Sequence, residues 1–322
     1  MVEALQVPTH LTVAKADFSR ALAWIDGAVV PLAEARIPVR DLGLMYADMT
    51  YDVVHVWRGG FFRLEDHLDR FFASLAGLRL EAGMDRAAMR ALLAHLVRRS
   101  GLADALVYFA CTRGTAVPGT RDPTASTNRF FATVTPLVLR GQPAEMARGQ
   151  HGMLVRDVAR IPASAVNPVW KNTHWGDFVR AAFLAKDAGH DVPILCTTEG
   201  AVAEAPGFNV VAVIDGGLVS PGEGVLEGIS CRTMFEIAAE TGIPARYGRL
   251  MPEALATAEE AFLTATSCGL FPLTWLDGRP IGAGVPGPVT TRLLNGYYAR
   301  KNAGWHITPV DTIPPPALET PP

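Results

Sequence analysis

Lysine is scarce in this chain: Lys15, Lys171, Lys186 and Lys301 are the only four among 29 cationic side chains, and the rest are arginine. Arginine cannot form a Schiff base, whereas a lysine amine can once its neighbours lower its pKa, so chemistry on a carbonyl cofactor is confined to very few positions. Cysteine is scarce too. Cys111, Cys196, Cys231 and Cys268 lie far apart, form no Cys-x-x-Cys pair and have no companion histidines at zinc spacing, which argues against a disulfide framework or a metal site and points to reduced, mostly buried thiols in a cytoplasmic protein. There is no excess of charge: a net charge of −3 and a pI near 6.2 give no electrostatic reason to expect nucleic acid or an anionic membrane as partner. The sequence also lacks an apolar run of the ~18 residues a membrane span needs, and its N-terminus lacks the apolar stretch of a signal peptide. What remains is 322 residues, 49% hydrophobic and 19% charged, enough for two domains or one large α/β unit whose expected partner is a small molecule.

Asp26-Gly27 between apolar runs predicts a hairpin, and the β-branched and aromatic stretch from Thr50 to Trp57, followed by Arg58-Gly59-Gly60, predicts another that continues through Phe61, Phe62 and Leu64. Leu68, Phe71, Phe72, Leu75 and Leu78 keep helical spacing, as do Met89, Leu92, Leu93, Leu96 and Val97. Strands follow at Leu106–Thr112 and Phe130–Leu139, giving an α+β unit over residues 1–137. The polar stretch from Arg140 to Gly152 reads as an interdomain linker, set at residues 138–152, before a larger domain over residues 153–322. There strands are expected at 153–158, 192–197, 209–214, 218–220, 261–265 and 271–276, and helices at 175–188, 230–240 and 288–299. Pro314 to Pro322 reads as an extended tail.

Among the lysines, Lys15 lies in an N-terminal arm and Lys301 in a tail, positions poorly suited to precise chemistry. Lys186 precedes Asp187-Ala188-Gly189 at a helix C-terminus, a structural setting. Lys171 sits after an Asn-Pro turn, between Trp170 and Trp175, where position alone leaves a catalytic amine and an ordinary surface charge equally open. A pyridoxal phosphate enzyme requires an amine, a phosphate site, an acid beside the pyridine nitrogen and an open reactive face. Arg70 is offset about 200° from Leu68 on its helix and so leaves the apolar stripe, as a phosphate anchor or a solvated arginine. Gly228-Ile229-Ser230 opens a helix whose N–H groups suit an anion, though Ser230 would also serve as an N-cap. Thr266-Ser267-Cys268-Gly269 is either a phosphate-binding turn or simply a turn. Glu204, between small residues and an apolar strand, is the candidate acid, since a buried carboxylate needs a partner such as a protonated pyridine nitrogen.

Four segments occur in order: Tyr46-Ala47-Asp48-Met49-Thr50-Tyr51-Asp52-Val53, Phe62-Arg63-Leu64-Glu65-Asp66-His67-Leu68-Asp69-Arg70, Lys171-Asn172-Thr173-His174-Trp175-Gly176-Asp177 and Glu204-Ala205-Pro206-Gly207-Phe208-Asn209. Together they resemble the class IV aminotransferases of PLP fold type IV, most closely the (R)-selective amine transaminases, from Trp24 to Tyr297. The resemblance implies a two-domain α/β (α+β) fold like that of D-amino-acid aminotransferases. It has a small N-terminal domain, a C-terminal pseudo-barrel, pyridoxal 5'-phosphate between them, and an active site completed across a homodimer. It assigns Lys171 as the Schiff-base and proton-transfer residue. Arg70, the Ile229 and Ser230 backbone and Thr266 are assigned to phosphate, and Glu204 to the pyridine nitrogen. Tyr51 and Trp175 line the substrate pocket.

The implied reaction moves an amino group from an R-configured primary amine to a keto acid such as pyruvate. Departures from the family pattern fall around the pocket. Tyr46 stands where histidine is common, Ala205 where glycine is usual, and Tyr108 where a glutamate often lies. Arg121 is the nearest counterpart of a carboxylate-gripping arginine, with Arg113 the alternative. These leave a D-amino-acid or branched-chain transaminase as the runner-up, followed by a PLP lyase resembling aminodeoxychorismate lyase and by a PLP-binding protein without turnover.

Overall fold

The computed structural model describes residues 4–120 and 122–316, which fall into two compact units. Of the described residues, one gathers 11–120, 122–138, 170–173 and 304–316; the other takes 4–10, Leu139–Val169 and His174–Ala303.

The first unit opens with the hairpin β1 (Leu22–Ile25) and β2 (Ala28–Pro31). Asp26 and Gly27 turn it at φ 50° and 81°, the left-handed pair that a tight hairpin demands. After α1 (Leu42–Tyr46) come β3 (Met49–Trp57) and β4 (Gly60–Phe62), then α2 (Leu64–Leu78), α3 (Arg86–Ser100), β5 (Ala105–Ala116) and β6 (Ser126–Pro136). The expected second hairpin is present but stops at Phe62, not Leu64. Arg63 adopts φ 56°, which ends the strand, and Leu64 begins the helix. The expected helical spacings become α2 and α3, whose apolar faces pack on the sheet around Val54, Val56, Phe71, Leu93, Val107 and Phe109. Because side chains alternate along a strand, Asp52, Val54 and Val56 share the helix-facing side of β3 while Tyr51 points to the other.

In the second unit the stretch expected as a linker carries a short helix, α4 (Pro143–Arg148), and already enters β7 (Gln150–Ala159). The Glu145 carboxylate accepts from the Gln142 N–H at 2.7 Å, closing the first turn of α4. Then follow α5 (Gly176–Asp187), β8 (Val192–Cys196), β9 (Glu204–Ala205), β10 (Phe208–Ile214), β11 (Gly217–Pro221) and α6 (Ile229–Glu240). β12 (Ala245–Gly248), α7 (Pro252–Ala256), β13 (Glu260–Ala265), β14 (Gly269–Leu276), β15 (Arg279–Pro280) and α8 (Pro288–Asn302) complete it. Its mixed sheet runs β12-β11-β10-β13-β14-β7-β8, with β15 on β14 and β9 on β10. Lys301 is not in a loose tail: it lies in α8, 3% exposed, with Nζ 3.4 Å from the Tyr297 hydroxyl one helical turn back. Finally β16 (Ile307–Pro309) returns to the first unit and pairs with β4, giving an antiparallel sheet in the order β16-β4-β3-β5-β6-β1-β2.

Candidate active site

In the first unit Lys171 is held by its backbone. Its N–H donates to the Ser74 hydroxyl (3.1 Å) and its carbonyl accepts from the Thr50 hydroxyl (2.6 Å), while Asn172 bridges Thr50 as a single strand residue. Ser74 also donates to the Arg70 carbonyl at 2.8 Å, so one buried hydroxyl joins the main chain of Lys171 to that of Arg70. The Lys171 ammonium nitrogen stands 4.4 Å from the centroid of the Tyr51 ring, a cation–π distance. Tyr51 stacks on Tyr108, with ring centroids 5.2 Å apart, and burial pushes the Tyr108 phenol well above its ordinary pKa. Trp170 packs over Gly77 of α2, where a Cβ would lie 2.2 Å from the indole.

Arg70 leaves the apolar stripe of α2, as its offset predicts, yet it is not simply solvated. Its Nε and Nη2 donate to the two oxygens of Asp52, each at 2.8 Å. Asp52 is fully buried and also lies 2.8 Å from His67 Nδ1. Burial opposes the charge of Asp52, but Arg70 and His67 beside it outweigh that and hold its carboxyl far below the usual range. Burial lowers the pKa of His67 below its ordinary value against the opposing pull of Asp52.

Glu204 lies in the second unit, 6% exposed. Its Oε1 accepts from Arg160 Nε at 2.8 Å, and the Leu226 N–H stands 3.5 Å from Oε2. Arg160 in turn donates through Nη1 to Asp177 (2.7 Å) and lies over the Phe178 ring at 4.2 Å. Burial works against the guanidinium, but the two carboxylates overcome it and raise its pKa. A carboxylate held in this way by a permanent cation suits a protonated ring nitrogen. Helix α6 starts at Ile229, with Gly228 and not Ser230 as its N-cap; no side chain caps the helix, and Ile229 and Ser230 occupy its first turn. Their N–H groups can therefore serve an anion. Asn209 braces this start, donating to the Leu226 carbonyl at 2.8 Å while its Oδ1 leaves no room for a Cβ at Gly228. Thr266 lies in the turn between β13 and β14, and Trp175 precedes α5 with its ring edge-on to Phe178.

Of the remaining expected residues, Tyr46 ends α1 and is 48% exposed, and Arg121 lies outside the described residues. Arg113 is committed to structure, pairing with Asp48 and donating to the carbonyls of Leu78 and Arg79. Among the described residues no cluster of His, Cys, Asp or Glu could hold a metal ion, and no helix is long and apolar enough to cross a membrane. Sequence reasoning missed the partners behind the expected site. Asp52, His67, Asp177 and Asn209 all fall inside the four segments, but only the strand and helix registers show what they hold, and Arg160 lies outside every motif.

The amino-transferase class IV family matches residues 49–275. A putative branched-chain-amino-acid aminotransferase of Methanocaldococcus jannaschii is 27% identical over 276 residues, covering 85% of this chain and 94% of its own. A D-alanine aminotransferase of Listeria innocua is 26% identical over 281 residues, covering 85% and 93%. Among solved structures, the branched-chain amino acid aminotransferase of T.th. with pyridoxamine 5'-phosphate superimposes with a TM-score of 0.83 at 26% identity, covering 95% of this chain and all of that one. The fold is therefore fold type IV, and the chain belongs to the class IV aminotransferases.

Proposed function

We propose that this protein is a transaminase that moves the amino group of a branched-chain or D-amino acid to a keto acid. Its cofactor is pyridoxal phosphate, which supplies an electron sink conjugated to the substrate Cα. The observation that carries the reading is the setting of Lys171: a scarce amine, pinned at both its N–H and its carbonyl, over the face of Tyr51 and tied through Ser74 to Arg70. Lys171 would hold the cofactor through Nζ, and its amine would move the proton at the substrate Cα.

The other roles follow from the chemistry of each group. Arg70, kept in one orientation by Asp52, is the phosphate-binding candidate of the first unit, and the N–H groups of Ile229 and Ser230 with the Thr266 hydroxyl are those of the second. Glu204, fixed by Arg160, would pair with the pyridine nitrogen and keep it protonated. Substrate contacts are proposed for Tyr46, Tyr51 and Tyr108 in the first unit, for Trp175 in the second and, by resemblance alone, for Arg121. A homodimer is the working form, and the exposed apolar run Leu44, Met45 and Tyr46 (66%, 53% and 48%) is the surface a second copy would cover.

An R-configured amine, the donor the four segments favour by resemblance, is named for none of the relatives above and is tested beside the amino acids. The assay is conversion of the bound cofactor's visible absorbance by L-leucine, D-alanine and (R)-1-phenylethylamine, each added alone. Conversion by an amino acid and not by the amine is expected; no conversion by any donor refutes a transaminase. Lys171→Ala should remove both the visible absorbance band and turnover.

A further inference from the structure

Arg140 stands apart from the other arginines of the second unit. Its guanidinium carbon lies over the Phe208 ring, 4.2 Å from the centroid, and Nη1 is 3.4 Å from the Pro206 carbonyl. Surrounding protein strips enough water from it to push its pKa down, although the residue as a whole stays exposed. Among the described residues no carboxylate pairs with it. Arg160, by contrast, holds two. A partly desolvated guanidinium served by a carbonyl, an aromatic face and, of anionic groups, only the buried Cys268 thiol, whose pKa is pushed up, is short of an anion.

The neighbours of Arg140 are those of the proposed chemistry. A Cβ placed on Gly207 would stand 3.5 Å from Arg140 Nη1 and 3.6 Å from the Trp175 ring, so both side chains flank the loop that follows Glu204. The Arg140 N–H faces the Ser267 carbonyl at 3.4 Å, beside Thr266. The main chain is anchored on either side. Gly141 adopts φ 93° and packs so closely on Met146 and Phe271 that a Cβ would lie 2.7 Å from the Met146 sulfur, and the Gln142 side chain donates to the Leu139 carbonyl at 3.2 Å. The guanidinium is thus presented from a fixed backbone and an aromatic platform, which reduces the entropy lost when a ligand binds.

We propose that Arg140 binds the carboxylate of the amino-acid and keto-acid substrates. The planar fork offers two parallel N–H donors to two carboxylate oxygens, a match that no neutral group at the same place could reproduce. This deepens the transaminase reading and rests on it: a carboxylate grip selects amino acids over simple amines.

The test compares wild-type holoenzyme with Arg140→Met and Arg140→Lys by calorimetric titration with 4-methylvalerate and with its amide, which keeps the shape and loses the charge. Arg140→Met should weaken the acid about 10- to 100-fold, the loss of one charge-assisted bidentate contact, and leave the amide unchanged, with partial recovery in Arg140→Lys. The KM for keto acids should rise in parallel while kcat changes less. Acid binding equal in wild type and Arg140→Met, equal weakening of acid and amide, or a wild-type protein indifferent to the carboxylate would each overturn the assignment. Cofactor conversion by amino donors, measured on the same preparations, judges the transaminase reading separately. If wild type converts while Arg140→Met binds acids normally, only the role of Arg140 falls.

Discussion

Asp52→Asn is the sharpest perturbation of the arrangement behind Arg70. The carboxylate is fully buried and takes two donors from Arg70 and one from His67, each at 2.8 Å. Asparagine keeps the shape but removes the charge, and turns an N–H donor toward groups that are themselves donors. Arg70, whose side chain is only 13% exposed, would then lose the counter-charge these bonds supply, a loss of about 3–5 kcal/mol. With an m-value of about 3 kcal/mol/M in urea, the unfolding midpoint of this unit should fall by about 1–1.7 M. Four of the six tryptophans, Trp24, Trp57, Trp170 and Trp305, belong to this unit, so tryptophan fluorescence is weighted toward it. The folded-state pKa of Asp52 is depressed, so its contribution is complete above the unfolded-chain value of about 3.9 and is lost as pH falls through the lower folded value. The gap between wild type and variant should therefore narrow only below about pH 4. The double variant Asp52→Asn/Arg70→Met, which removes the cation as well, should be more stable than Asp52→Asn alone. A midpoint change worth less than about 1 kcal/mol, or a double variant no better than the single, would refute the reasoning.

Gly77→Ala should destabilise despite its favourable helix propensity. The gain of about 1 kcal/mol is smaller than the cost of a Cβ 2.2 Å from the Trp170 indole, and because Trp170 adjoins Lys171 the variant should also recover cofactor absorbance more slowly after apoenzyme is mixed with pyridoxal phosphate; unchanged melting and loading would contradict this. Burial pushes the thiols of Cys111, Cys231 and Cys268 up to about 12, about 11 and about 12. A thiol-specific disulfide reagent at pH 8 should therefore find these three only after denaturation. Cys196, half-buried and also raised, should react slowly in the native protein, and rapid native release of more than one equivalent would show that the burial is wrong.

What can be read from the sequence depends on how rare or how periodic each signal is. The two long helices of the first unit repeat their apolar residues at helical spacing, and Asp26-Gly27 marks its turn through backbone chemistry that few other residues supply, so both appear in the sequence as they do in the structure. The second hairpin reads as too long because Leu64 is apolar whichever element it joins; the left-handed conformation of Arg63 that separates strand from helix has no compositional trace. Helix α4 is only six residues long, too short for periodicity to register.

The same contrast governs the site. Lys171 stands out because lysine is rare here, and Glu204 because a carboxylate among small apolar residues needs an explanation. Asp52 and Asp177 lie inside the diagnostic segments, yet which cation each serves depends on register: β3 must turn Asp52 toward α2, and the start of α5 must set Asp177 beside Arg160. Arginine is the common cation of this chain, so an arginine gains meaning only after the carboxylates have been paired off in three dimensions. That accounting places Arg113 on Asp48 and Arg160 on Glu204 and Asp177, and leaves Arg140 on an aromatic face with no anion among the described residues. Resemblance points to the loop around Arg121 for the carboxylate grip, but the physical requirement is a positioned guanidinium lacking a counter-charge. Arg140 meets it from a segment whose polar composition, taken alone, reads as a linker.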